Sequence, residues 1–235
     1  MAAALCCWIW TATTTCVGAC VLAPVVSWFR WTIAWRPEHP FPAAPDDCLA
    51  ATRWAIGQGQ ALDADPSRVV LAGDSAGACL AAVTAVRLRD TGEAALRGQL
   101  LFYPVTNYPS PAPASYTQYG VGCGLTTEGM LWFWRQYLPD LSLAAHADVS
   151  PLRVASMHGL PPACVLVAEF DVLRDEGEAY AQRLREAGIA TLSHSYGGMN
   201  HGFLKYAGVL QEADAAVTQA CTWLRDVLGK VDIRQ

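Results

Sequence analysis

The segment Val69 to Ala82, V-V-L-A-G-D-S-A-G-A-C-L-A-A, constrains this chain more than any other. It opens as an apolar strand, passes a glycine-flanked serine and continues as an alanine-rich helix. A G-x-S-x-G turn between strand and helix presents its serine hydroxyl on a sharp, strained bend. Gly73 and Gly77 leave room for that bend, where a Cβ would collide with the neighbouring strand or helix. Ser75 is therefore expected at the carboxyl edge of a sheet, with the backbone N–H of Ala76 aimed at a developing oxyanion. The plainer alternative is a Gly/Ser-rich loop between two buried elements. The flanking strand and helix favour a nucleophile.

A chain of 235 residues with 53% hydrophobic content can bury the core of one sizeable domain. Its net charge of −5 offers no basic footprint, which speaks against a nucleic-acid partner. The nine cysteines show no regular spacing and no C-x-x-C pair. Cys6, Cys7, Cys16 and Cys20 crowd the N-terminus, while Cys48, Cys79, Cys123, Cys164 and Cys221 are scattered, mostly in apolar runs. Buried free thiols in a reducing, cytoplasmic setting suit this pattern better than a disulfide framework or a zinc site.

From about Pro37 onward the pattern alternates helix and strand, as in a parallel α/β domain. A helix is expected from Pro45 through Ile56, with proline and acids in its first turn. Val69 to Ala72 reads as a buried strand, followed by a helix from Ala76 towards Leu88. Gln99 to Tyr103 is a second strand, stopped by Pro104. Thr106 to Gly124 is rich in Pro, Gly, Ser and Tyr and reads as a long loop. Thr126 or Thr127 caps a helix to Leu138. A strand over Ala163–Ala168, a helix over Asp175–Ala187, an edge-like strand over Thr191–Tyr196 and a last helix over Gln211–Leu228 complete the pattern. Strands this apolar need helices on both faces of the sheet.

A serine nucleophile needs a base, and the base needs an orienting carboxylate. Asp171 leaves the Ala163–Ala168 strand first, in A-E-F-D-V-L-R-D, where it emerges at the same edge as Ser75. The plainer alternative is that Asp171 is a helix N-cap, and Asp175 competes as the cap of the following helix. His201, in G-G-M-N-H-G-F, follows the last strand and precedes the last helix. His39, His146, His158 and His194 do not occupy that place in the order. An ordinary imidazole titrates near neutrality and can serve as base and then acid. Trp132, Phe133 and Trp134 are expected in core packing rather than in an acyl pocket. Glu178, Arg183 and Arg185 read as the solvated face of their helix.

Several segments together resemble one family. They are Pro37 to Ala44 (P-E-H-P-F-P-A-A), the G-D-S-A-G box at 73–77, Ser150-Pro151-Leu152, the A-E-F-D-V-L-R-D-E run at 168–176, and His201-Gly202-Phe203. They are similar to the hormone-sensitive-lipase-like branch of the α/β-hydrolases, across nearly everything from Pro37 to the C-terminus. The resemblance implies a mostly parallel sheet with helices on both faces, and serine carboxylesterase chemistry on small-molecule esters of short to medium acyl chains. It implies Ser75, Asp171 and His201 as triad, Ala76 N–H as an oxyanion donor, and no cofactor or metal. Val172 stands where the family often has proline. Amide hydrolysis and a non-catalytic ligand-binding role on the same scaffold are the alternatives.

The front of the chain departs from the family. An H-G-G-G loop, whose N–H groups make most of the oxyanion hole, is expected ahead of P-E-H-P, as is an N-terminal cap; neither is found. Ala2 to Phe29 carries no charge, and Trp8, Trp10, Trp28, Trp31 and Trp35 cluster near it. A membrane anchor over residues 3–26 is one interpretation. A one-base slip is the other. Taking each codon's third base with the next two, Met1–Ala2 must give glycine, and Trp8–Ile9, Trp10–Thr11 and Trp31–Thr32 must each give aspartate. Trp28–Phe29 must give valine. With permitted codons elsewhere, Met1–Ala4 becomes H-G-G-G, given a C before the start. In the same frame Trp8 to Gly18 becomes L-D-L-D-S-H-D-D-V-C-R, and Trp28 to Pro37 becomes V-V-S-V-D-Y-R-L-A-P. Those strings match the family in order and distance. Residues 1–36 are accordingly expected to be out-of-frame translation joined to a hydrolase domain over 37–235. The sheet is then expected to be short of at least two strands, and the chain weakly active or inactive.

Overall fold

The computed structural model describes residues 3–10, 26–32, 39–59, 61, 64–93 and 96–229, with side chains from residue 39 onward. These residues form one six-stranded sheet with all pairings parallel. Its strands are β1 (Ala3–Trp10), β2 (Val26–Thr32), β3 (Ala64–Asp74), β4 (Gly98–Phe102), β5 (Ala163–Phe170) and β6 (Thr191–Asn200), in the spatial order β2-β1-β3-β4-β5-β6. Helices α1 (Ala43–Gly57), α2 (Ala76–Thr91), α3 (Ala114–Gln118), α4 (Thr127–Tyr137), α5 (Arg174–Glu186) and α6 (Gln211–Leu228) make the connections and cover the sheet.

The period-two alternation of the central strands divides the core in two. Leu71, Leu101, Val165 and Val167 pack with Ala81, Ala85 and Tyr180 of α2 and α5. Their neighbours Val70, Ala72, Leu100, Phe102 and Leu166 face the other way, against Ala216, Ala220 and Leu224 of α6. Alanine fills four of the eleven buried positions of α2 and Gly77 a fifth, which lets that helix lie close to β3. Strand β6 sits at the edge, with several residues exposed and a polar sequence to match.

Two strands stand at the front of the sheet, where the sequence left it at least two short: β1 pairs with β3 on one side and β2 on the other. Backbone ladders do not depend on side-chain identity, so segments with several aromatic residues and the single charge of Arg30 can fill those places. The proposed membrane anchor over residues 3–26 includes β1, and residues 11–25 lie outside the described residues. Among the described residues no helix is long and apolar enough to cross a membrane.

Most other expectations hold, with local corrections. The Thr106–Gly124 loop contains the short helix α3. Strand β6 runs past Tyr196 to Asn200 through a register shift opposite Ala168–Phe170, where Gly198 takes a φ of 74° and donates its N–H to Glu169 Oε2 at 2.7 Å. Trp134 is buried, but Trp132 and Phe133 are 52% and 51% exposed and lie outside the core. Arg183 is not simply solvated: it donates to the carbonyls of Leu152 and Val154. Cys48, Cys79 and Cys164 are buried free thiols and Cys123 a half-buried one. Cys221 differs from its expected state, being disulfide-bonded.

Leu101 is fully buried between β3 and β5 and reaches the α2–α5 layer. Leu101→Ala should destabilise the fold by about 2–5 kcal/mol, read as a lower urea midpoint at unchanged m-value.

Candidate active site

The carboxyl ends of β3, β5 and β6 converge on three side chains. At the end of β3 the chain reverses sharply into α2 through Ser75, whose φ of 54° and ψ of −121° lie where non-glycine residues are strained. A Cβ on Gly73 would stand 2.4 Å from both the carbonyl carbon and oxygen of Gly77, so strand and helix touch backbone to backbone. Surrounding backbone holds the bend: Ser75 N–H donates to Phe102 O at 2.9 Å, and Ser75 O accepts from Val105 N at 3.3 Å. Ala76 opens α2, where the first N–H groups have no partner within the helix.

Ser75 Oγ lies 2.9 Å from His201 Nε2, and His201 Nδ1 lies 2.7 Å from Asp171 Oδ2. With the imidazole proton on Nδ1, the hydroxyl donates to Nε2 and the ring donates to the carboxylate. Asp171 is buried at the turn between β5 and α5, and its Oδ1 also accepts the Leu173 N–H at 3.0 Å. The helix cap considered for Asp171 falls instead to Leu173, and Asp171 accepts a turn N–H while it partners the imidazole. Asp175 is engaged elsewhere, accepting from Ser115 N and from Arg174. Among the other histidines, His146 stands beside Asp148 and Phe41, and His194 against Tyr196. A hydroxyl, an imidazole and a buried carboxylate in series can pass a proton and release an alkoxide-like nucleophile.

Sequence reasoning missed two neighbours of this series. Tyr103, at the end of β4, has a φ of 35° and packs its buried ring edge-on against His201, centroids 4.8 Å apart. Its only signal was an aromatic residue before the proline that ends a buried strand. Glu176, in the first turn of α5, is fully buried. Its Oε1 accepts the N–H groups of Thr106 at 2.8 Å and Asn107 at 3.2 Å, and its Oε2 accepts from Tyr116 Oη at 3.3 Å.

Burial pushes the Glu176 carboxyl up from 4.5 to about 8, opposed by the hydrogen bonds it accepts and assisted by the Asp171 charge. Between those two values the unfolded chain has lost this proton and the folded chain keeps it. The unfolded state then binds fewer protons, so stability falls as pH rises across that window. Glu176→Gln should flatten the decline from about pH 4.5 to about pH 8. Urea denaturation at a series of pH values measures it, and an unchanged slope contradicts it.

The sequence matches the family described as alpha/beta hydrolase fold over residues 14–205. It is 39% identical over 193 residues to Esterase LipI of Mycobacterium tuberculosis, covering 82% of this chain and 60% of that protein. It is 36% identical over 193 residues to an ethyl acetate hydrolase of Pseudomonas putida, again covering 82% and 60%. The chain thus spans about 60% of the length of these curated relatives. Among solved structures it superposes on EstE1, a thermophilic carboxylesterase from a metagenomic library, with TM-score 0.87 and 32% identity over 97% of this chain and 81% of that one. A thermostable esterase from Pseudomonas putida gives TM-score 0.85 and 34% identity over 98% and 76%. With sequence and architecture agreeing over so much of its length, the chain belongs to the alpha/beta hydrolase family.

Proposed function

We propose that this protein is a serine carboxylic-ester hydrolase acting through an acyl-enzyme on small-molecule esters of short to medium acyl chain. The observation that carries this is the unbroken series from Ser75 Oγ through His201 to Asp171, with contacts of 2.9 Å and 2.7 Å. The esterase names of the relatives support it. Ser75 Oγ attacks the ester carbonyl carbon while its proton passes to His201 Nε2. Charge gathers on the former carbonyl oxygen, towards which the Ala76 N–H is directed, and Asp171 stabilises the imidazolium. Collapse expels the alcohol, which takes the Nε2 proton. Water then attacks the acyl carbon, gives a proton to Nε2, and the second collapse frees the acid and returns the proton to Ser75.

Residues 1–36 we read as an out-of-frame segment ahead of a hydrolase domain over 37–235. The forced codon results at Met1, Trp8, Trp10, Trp28 and Trp31 support this. We place the protein in the cytoplasm, where the free thiols at Cys48, Cys79, Cys123 and Cys164 fit a reducing medium and the disulfide at Cys221 does not. Recovery with the membrane fraction would contradict that placement.

A fluorophosphonate probe should label the wild-type chain and leave Ser75→Ala unlabelled. Unlabelled wild type would overturn the hydrolase assignment in favour of a ligand-binding role. The chain as written should hydrolyse p-nitrophenyl butyrate slowly. Replacing residues 1–36 with the alternative-frame sequence should raise turnover at least about 10²–10³-fold, the worth of one oxyanion donor. Equal turnover, or genomic DNA lacking that frame, would defeat the proposal for the N-terminus.

A further inference from the structure

We propose that Glu176 is a positioning residue for the nucleophile and base, acting by clamping the chain segment after β4 onto the start of α5. This rests on the hydrolase assignment above and adds a residue to it.

The segment Tyr103–Asn107 touches the site at two points. The Tyr103 ring lies edge-on to His201, with centroids 4.8 Å apart, and Val105 N–H donates to the Ser75 carbonyl at 3.3 Å. Pro104 brings no N–H to a ladder, and the segment is otherwise tied by Tyr103 N–H to Leu166 O at 2.6 Å, by Thr106 O accepting the Leu152 N–H at 2.9 Å, and by Asn107 Oδ1 accepting from Arg153. The Glu176 side chain takes the next two N–H groups, Thr106 and Asn107, on one oxygen. The Glu176 backbone carbonyl accepts the Thr106 hydroxyl at 2.8 Å, so the same residue grips this segment from side chain and main chain. Tyr116 of α3 closes the other carboxyl oxygen.

The far end of the clamp is equally close to the chemistry. Glu176 stands in the first turn of α5, the helix that Asp171 leads into, and Asp171 O accepts the Arg174 N–H at 3.1 Å. One fully buried carboxyl therefore couples the segment against the base and nucleophile to the turn that carries the base's carboxylate partner. A wholly buried carboxyl is costly unless its acceptors are used, and here they meet backbone donors that the sheet leaves unpaired. Glutamine keeps a carbonyl for Thr106 and Asn107 and turns an amide towards Tyr116; alanine keeps neither.

The test compares Glu176→Ala and Glu176→Gln with wild type on p-nitrophenyl butyrate. Glu176→Ala should lose about 10- to 100-fold in kcat with KM changed less than about twofold, the pattern of a displaced catalytic group. Glu176→Gln should recover most of that loss. Proton NMR adds a readout that needs no turnover: the low-field His201 Nδ1–H resonance should persist in Glu176→Gln and vanish in Glu176→Ala while far-UV circular dichroism stays native. Wild-type kcat in both variants, with the resonance intact in both, would overturn the proposal, as would a loss equal in both. Should Glu176→Ala fail to fold, Thr106→Val and Tyr116→Phe, which each remove one strut, must lower kcat and broaden the resonance; wild-type behaviour in both would equally overturn it. A wild type that the fluorophosphonate probe leaves unlabelled but that shows the resonance would refute the hydrolase assignment alone, because the NMR comparison still decides the role of Glu176.

Discussion

Strand β3 and helix α2 meet with no side chain between them, and the rest of the site depends on that contact. Gly73 lies so close to Gly77 that the chain must reverse within one residue, which forces Ser75 into a strained conformation. The strain persists because the bend is over-determined: backbone from the end of β4 bonds both the N–H and the carbonyl of Ser75. In an all-parallel sheet every strand ends at the same edge. The turn after β5 and the turn after β6 therefore deliver Asp171 and His201 beside the hydroxyl without further arrangement.

Two buried carboxyls near this edge have opposite surroundings. Asp171 accepts from the imidazole and from the Leu173 N–H. Glu176 faces backbone N–H groups and a phenol within an apolar layer, and burial favours its neutral form. The first bears on the reacting groups and the second on the backbone that carries them. Separating the roles in this way avoids two like charges competing within one small volume.

Legibility varied with how local the signal was. Helix α6 has the limits expected from its periodicity, and Thr126 caps α4 by accepting the Gly129 N–H, as its residue type suggested. Helix α3 was invisible because five residues among prolines carry no periodicity. The tryptophan-rich stretch of α4 divided between core and solvent because successive helical residues point about 100° apart, so only Trp134 could face inward. Arg183 was misjudged because its partners, the carbonyls of Leu152 and Val154, are distant in sequence. At the front, departure from the strings the family carries did not prevent backbone pairing in β1 and β2.

The order of chemical groups along the chain was enough to name Ser75, Asp171 and His201, because strand, turn and helix signals lie within a few residues of each. The same local patterns fixed an α/β architecture with helices on both faces. Tertiary structure alone decided what bears on those groups from the side: the Tyr103 ring against the imidazole, and the grip of Glu176 on Thr106 and Asn107. These are contacts between segments far apart in sequence, and no local periodicity encodes which side chains a folded sheet edge will bring face to face.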